Sequence, residues 1–201
     1  MKAVKTKNRK IAPAVMKSAA MPAVWCRNTV YGQATASSKE SVLPTANARG
    51  VQEEAIAEEY IEGREFYIGI FGHKRLTVLP PREMIFGNLP DDEPRIATYK
   101  AKWDKEYQKR WKIDNVPAKN LDEALLKKVS DMCKRAYRAL NMKCYARFDI
   151  RITPEGKIYI IEPNANPSLA PDDEFVLAAK KYGLSYDQLL DRLMQLALSR
   201  G

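Results

Sequence analysis

Asp149, Glu162 and Asn164 are hard oxygen donors set into two short alternating runs, YARFDIRI at 145–152 and IYIIEPN at 158–164, with Arg147 two positions before the aspartate. Runs of this length and β-branched content, joined by the turn-rich TPEGK, read as an antiparallel hairpin. Alternation places Tyr145, Arg147, Asp149 and Arg151 on one face and Ala146, Phe148, Ile150 and Ile152 on the other. In the second run Ile158, Ile160, Glu162 and Asn164 share a face opposite Tyr159 and Ile161. With a four-residue loop, Pro154 to Lys157, Thr153 pairs with Ile158 and Asp149 falls opposite Glu162. Carboxylates facing each other across a strand pair repel, so the arrangement calls for a cation. Arg147 could supply it. A divalent metal could do so as well, because two carboxylates and an amide oxygen are the donor types Mg²⁺ takes alongside water and phosphate. The competing reading is a solvated polar face, which a one-residue change of register would produce.

The elements that must hold this hairpin are legible upstream and downstream. AIAEEYI (55–61) and EFYIGIF (65–71) are apolar-rich strand candidates broken by Glu62-Gly63, and LTVLP (76–80) follows the turn GHK. The stretch ATYKAKWDKEYQKRW (97–111) fits neither the helical nor the strand period. A long helix is expected from Leu121 to Leu140, capped by Asn120, with Leu125, Leu126, Val129, Met132, Cys133, Ala136 and Leu140 as its apolar stripe. Two more helices, 173–182 and 185–199, are expected with caps Asp172 and Ser185 and with Gly183 between them. Strands interleaved with helices argue for an α+β domain, a mainly antiparallel sheet with flanking helices.

The net charge of +9 is unevenly placed. Residues 1–50 hold nine Lys or Arg against the single acid Glu40, which leaves residues 51–201 close to neutral. The expected organisation is therefore a basic, loosely ordered or degenerate segment, 1–50, with short strand candidates at AVWC and TVYG, followed by a catalytic subdomain, 51–201. Without aromatic–basic interleaving or a strong amphipathic helix, the tail argues for neither nucleic-acid binding nor organelle targeting. No apolar run reaches the roughly eighteen residues of a membrane span, so the chain reads as soluble and cytoplasmic. Cys26, Cys133 and Cys144 form no C-x-x-C pair and His73 stands alone, which excludes a zinc set and points to reduced thiols.

ARFDI followed by YIIEPNANPS resembles the paired R-x-D and E-x-N strands of the ATP-grasp superfamily, in particular its D-alanine–D-alanine ligase-like branch. IAEEYIEGREFYIGIFG resembles that family's hinge strand with the ribose-contacting glutamate after it, and YKAKW resembles the segment carrying a phosphate-facing lysine. The resemblance covers about 55–199, with the motifs in the family's order. It implies the ATP-grasp carboxy-terminal subdomain and an ATP-dependent carboxylate–amine ligase acting through an acyl-phosphate. Asp149, Glu162 and Asn164 would hold Mg²⁺, with Mn²⁺ as an alternative, and Arg147 would stabilise the transferring phosphoryl group. Glu58 with the backbone of Glu59, Tyr60 and Ile61 would meet adenine, Glu65 the ribose and Lys102 the phosphates. Tyr60, Ile61 and Ile161 would line the adenine pocket or belong to plain core.

The implied partners are a small carboxylate and a small amine, amino acid or peptide, with a homo-oligomer or partner chain as a further possibility. The chain departs from the family's pattern after Pro167, where Ser168 and LAPDDEF stand in place of a glycine and serine-containing loop, so D-alanine is not assumed as substrate. Residues 1–50 also lack a lysine-led strand and a glycine-rich loop, which suggests a truncated or frame-shifted form, or a short protein that works with a partner. The alternative reading is a non-catalytic nucleotide- or partner-binding remnant.

Overall fold

The computed structural model describes residues 24–26, 45–48, 51–54, 57–90, 93 and 95–199. These fall into two compact units, one taking the strands up to Tyr60 together with Leu89–Asp104, the other Ile61–Asn88 and Lys105 onward. In the first unit β1 (Val24–Cys26) pairs antiparallel with β4 (Ala57–Glu59), and β2 (Thr45–Ala48) pairs with β3 (Val51–Glu54). The AVWC strand candidate is thus β1 and part of the 55–61 candidate is β4, whereas TVYG lies outside the described residues. The same unit carries the short helix α1 (Tyr99–Trp103), capped by the Thr98 hydroxyl, which accepts from the Ala101 amide.

The second unit is built on an antiparallel sheet. Its strands are β5 (Arg64–Gly72), β6 (Leu76–Val78), β7 (Arg82–Phe86), β8 (Ile113–Pro117), β9 (Cys144–Ile152) and β10 (Ile158–Asn164). They run in the order β10-β9-β5-β7-β8, with β6 also on β5. Helices α2 (Lys105–Trp111), α3 (Glu123–Ala139), α4 (Glu174–Tyr182) and α5 (Tyr186–Leu198) complete it. The stretch 97–111, which shows neither period, is two short helices broken at Asp104.

The nine residues of β5 pair with the nine of β9, and alternation along both divides the core. Phe66, Ile68 and Ile70 with Ala146, Phe148, Ile150 and Ile152 pack against Val129, Cys133 and Tyr137 of α3. On the opposite face Phe71 and Leu79 pack with Phe175, Val176, Ala178 and Ala179 of α4 and Leu189 and Leu193 of α5. That second helix layer covers only one end of the face. Gly69 makes it fit: a Cβ there would stand 2.7 Å from the Leu79 side chain and 3.1 Å from the Phe175 ring.

Three helix-end expectations are corrected. The cap of α3 is Asp122, whose Oδ1 accepts from the Leu125 amide at 2.6 Å, while Asn120 sits in the left-handed region at φ 56° and cannot serve. Leu140 is exposed past the end of α3, and Tyr137 takes the place in the core, with its hydroxyl donating to the Gly72 carbonyl at 3.1 Å. The α4 cap position is Asp173, one residue after Asp172. Ser185 does cap α5, in a reciprocal box with Gln188, and Gly183 ends α4 at φ 105°, where a Cβ would be strained.

Burial under α3 pushes the Cys133 thiol up to about 12. A folded pKa raised above the unfolded one means that this contribution to stability is complete below about pH 9 and is lost as pH climbs further. Denaturant unfolding followed through that range should therefore show falling stability, with a shallower fall in Cys133→Ala.

Candidate functional site

The hairpin that carries the oxygen donors does not have the expected loop. Ile158 pairs with Ile152, not Thr153, and the connection is closed by Thr153 and Lys157, whose amide-to-carbonyl bond is 2.9 Å. That register alone would set Asp149 opposite Ile161. A β-bulge between Ile160 and Glu162 absorbs one residue, and Glu162 returns to face Asp149, with Asn164 facing Arg147. Two one-residue differences cancel. The bulge also corrects the expected facing of β10: Ile158 and Ile160 pack on the α3 side with Ile152 and Ile150, while Glu162 and Asn164 turn to the other side. Ile161 is the residue at the bulge.

Register then lays three rows across the same face of the sheet, with Tyr67, Asp149, Glu65 and Arg151 buried in them. Arg82, Tyr67, Asp149 and Glu162 form one, Met84, Glu65, Arg151 and Tyr159 a second, and Gly69, Arg147 and Asn164 a third. Arg147 stands in the row beside that of Asp149 and bonds to two carboxylates. Its Nε and Nη2 donate to the two oxygens of Asp149 at 2.7 and 3.0 Å, its Nη1 donates to Glu174 at 3.2 Å, and its guanidinium lies 5.0 Å from the centre of the Tyr67 ring. Burial works against the charge on Arg147, but its hydrogen bonds and the charges of Asp149 and Glu174 outweigh burial and hold its pKa above the ordinary guanidinium value. Glu162 is exposed, and Asn164 Oδ1 accepts from the Asn166 amide at 2.9 Å.

Glu65 is buried, at 8% exposure, with Arg151 Nη2 donating to it at 2.9 Å and the Tyr67 hydroxyl at 3.2 Å. Arg151 also donates to the Ile61 carbonyl at 2.7 Å, which ties the segment before β5 to β9. Tyr67 stays a donor because burial, and then the charges of Glu65, Asp149 and Glu174, raise its pKa well above the phenolic value. Arg82 is buried, and burial lowers its pKa, with Glu174 and Asp114 offsetting part of the effect; it donates to Asn115.

The structure thus gathers Arg147, Asp149, Glu162 and Asn164 on one face, sets Glu65 on the row of Arg151, and ties the Ile61 carbonyl to Arg151. Glu58, Glu59, Tyr60 and Lys102 belong to the first unit; Glu58 and Glu59 end β4, and Lys102 is in the last turn of α1. Tyr67, Arg82, Arg151 and Glu174 were not singled out from the sequence. Arg151 and Tyr67 were findable by alternation from Arg147 and Glu65, but Glu174 joins from a helix with no local signal.

Two carboxylates and an amide oxygen facing one another suit Mg²⁺, which keeps positions for water and phosphate oxygens. Among the described residues no group of three or more His, Cys, Asp and Glu could hold a metal, so a closed, all-protein site of another kind is not formed there.

An antiparallel sheet with helices on both faces and an R-x-D strand beside an E-x-N strand defines the carboxy-terminal portion of an ATP-grasp protein. The chain belongs to the family described as D-ala D-ala ligase C-terminus, whose model matches residues 7–195. It is 31% identical over 148 residues to the uncharacterized protein y4sG of Sinorhizobium fredii, covering 74% of this chain and 42% of that one. It is 31% identical over 177 residues to the D-alanine–D-alanine ligase of Desulfotalea psychrophila, covering 87% and 52%. The crystal structure of the D-alanine–D-alanine ligase of Bacillus anthracis superposes with a TM-score of 0.56 at 26% identity, over 73% of this chain and 43% of that one. The chain spans about half the length, or less, of these relatives.

The Glu65–Arg151 pair is desolvated, so removing one partner strands a buried charge, at a cost of about 3–5 kcal/mol. Denaturant unfolding should show a loss of that order for Arg151→Ala, and most of it should return in Glu65→Leu/Arg151→Met, which removes both charges.

Proposed function

We propose that this chain is the carboxy-terminal catalytic portion of an ATP-dependent ligase that joins a small carboxylate to a small amine, amino acid or peptide, through an acyl-phosphate. The observation that carries the reading is the bulge of β10, which turns Glu162 and Asn164 out of the core and onto the face where Arg147 and Asp149 stand.

In this reading Asp149, Glu162 and Asn164 hold Mg²⁺. When bound, the ion neutralises phosphate charge and acts as a Lewis acid. Arg147 offers a charge that does not titrate at any physiological pH, fixed in orientation over Tyr67, to the oxygens of the phosphoryl group passing from ATP to the carboxylate. The carboxylate oxygen attacks the γ-phosphorus and ADP leaves. The amine then attacks the acyl carbon to form the C–N bond, and phosphate leaves as the C–O bond breaks. Positioning and charge complementarity supply the catalysis, so no histidine or thiol nucleophile is needed.

Glu65 keeps lone pairs beyond those used by Arg151 and Tyr67 and can accept a ribose hydroxyl from a position those two residues hold rigid. Glu58, the backbone of Glu59 to Ile61, and the apolar Tyr60, Ile61 and Ile161 are assigned to adenine, and Lys102 to the phosphates. Such an enzyme works on cytoplasmic ATP. The acceptor is left as an amine of unspecified side chain, because Ser168 and the acidic run after it differ from the family's acceptor segment.

One observation favours a second reading, a nucleotide-binding remnant without turnover: Asp149 and Glu174 together engage three nitrogens of Arg147. Calorimetric titration of the wild type with Mg-ATP beside Glu162→Ala tests for a working site, with binding expected to weaken about tenfold or more in the variant. Equal, negligible binding in both would sink the ligase reading. ADP release that depends on an added amino acid separates the enzyme from the remnant.

A further inference from the structure

Arg147 is gripped by two carboxylates with different attachments. Asp149 is two residues along the same strand and takes Nε and Nη2. Glu174 reaches Nη1 from the first residue of α4. They also differ in what else can claim them. Asp149 is the register partner of Glu162, so a cation held between those two would compete with the guanidinium for the Asp149 oxygens. Glu174 lies outside that pair.

The seat of Glu174 is built into the sheet. Gly69 is the register partner of Arg147, and its missing side chain is the space that Leu79 and the Phe175 ring fill. Phe175 is 1% exposed and meets the Tyr145 ring edge-on, with centroids 5.5 Å apart, while Val176 beside it is fully buried. The first turn of α4 is therefore pinned to the strand pair that carries Arg147, and the residue immediately before Phe175 is brought to the guanidinium. Tyr67 bounds a third side. The side chain of Glu174 is 26% exposed, so its bond to Arg147 is partly shielded from water.

We infer that Glu174 is a positioning residue that keeps the Arg147 guanidinium in place while Asp149 is withdrawn toward a cation. The inference rests on the reading of Arg147 as the phosphate-facing group of a ligase. A lone Arg–Asp pair would release the arginine at the moment the aspartate changed partner. A second charge-assisted bond from a different element removes that failure, and transition-state stabilisation requires donors that are already oriented.

The Nε–H resonance of Arg147 in the full-length chain, assigned by its loss in Arg147→Lys, reads this without metal or nucleotide. Asp149→Asn imitates the withdrawal of the aspartate's charge. In that variant the Arg147 Nε–H should remain protected, and adding Glu174→Gln should speed its exchange with water by about tenfold or more while the Nε–H of Arg151 is unchanged. Equal exchange in Asp149→Asn and in the double variant overturns the inference, as does equal acceleration at Arg147 and Arg151, which would mark general loosening. Asp149→Ser replaces Asp149→Asn, with the same outcomes, if the latter loses its cooperative melt. In parallel, Glu174→Gln should weaken Mg-ATP binding by about tenfold. Absence of binding in the wild type would count against the ligase reading alone, and the exchange comparison would still decide the role of Glu174.

Discussion

The antiparallel pairing of β5 with β9 is the constraint on which the other features depend. Nine successive register partners, from Arg64 with Ile152 to Gly72 with Cys144, leave no freedom to slip, because a shift by one would exchange Phe66, Ile68 and Ile70 for Glu65, Tyr67 and Gly69 beneath α3. Burying a Phe or Ile side chain contributes about 1.5–3 kcal/mol, so the apolar set alone holds the register against that exchange. Once it is held, the alternate residues have nowhere to go but the other face. There the apolar end is covered by α4 and α5 and the polar end carries Glu65, Tyr67, Arg147, Asp149 and Arg151.

That polar end concentrates charge where water is scarce. Arg147 and Arg151 are each matched by carboxylate charge, as desolvated ions require, and Tyr67 stands between the two groups with its hydroxyl on Glu65 and its ring beneath Arg147. The energetic worth of such pairs as plain stability is small once desolvation is subtracted. Their worth lies in orientation, since each guanidinium is held by more than one acceptor. The bulge on β10 serves the same end from the sheet's edge, bringing Glu162 and Asn164 onto a face their strand had not been using.

Much of the frame was legible because it follows from local rules. The strands at 65–71 and 145–152 are runs rich in aromatic and β-branched residues bounded by turn residues, and α5 announces itself through Ser185 and Gln188 three residues later. Errors fell where two neighbouring residues could serve one role, Asn120 or Asp122, Asp172 or Asp173, because capping depends on dihedrals that residue type does not specify. The facing of Asp149 and Glu162 was reached with a loop one residue too short and no bulge, two differences that offset each other. Nothing in IYIIEPN marks where a bulge will fall: Ile160 and Ile161 are equally suited to the core.

The residue types and spacing of the R-x-D and E-x-N runs, read with their upstream companions, determined by themselves that the chain carries an acid–amide–arginine set on a hairpin, since alternation is a property of the extended backbone. Only the tertiary structure decided what Arg147 is bound to and which way β10 faces. Glu174 reaches the guanidinium because Gly69, on a strand more than a hundred residues earlier in the chain, leaves room for Phe175. A contact made possible by the absence of a side chain on one element and the packing of a ring on another has no local trace, and it forms only when the sheet and the helix close on each other.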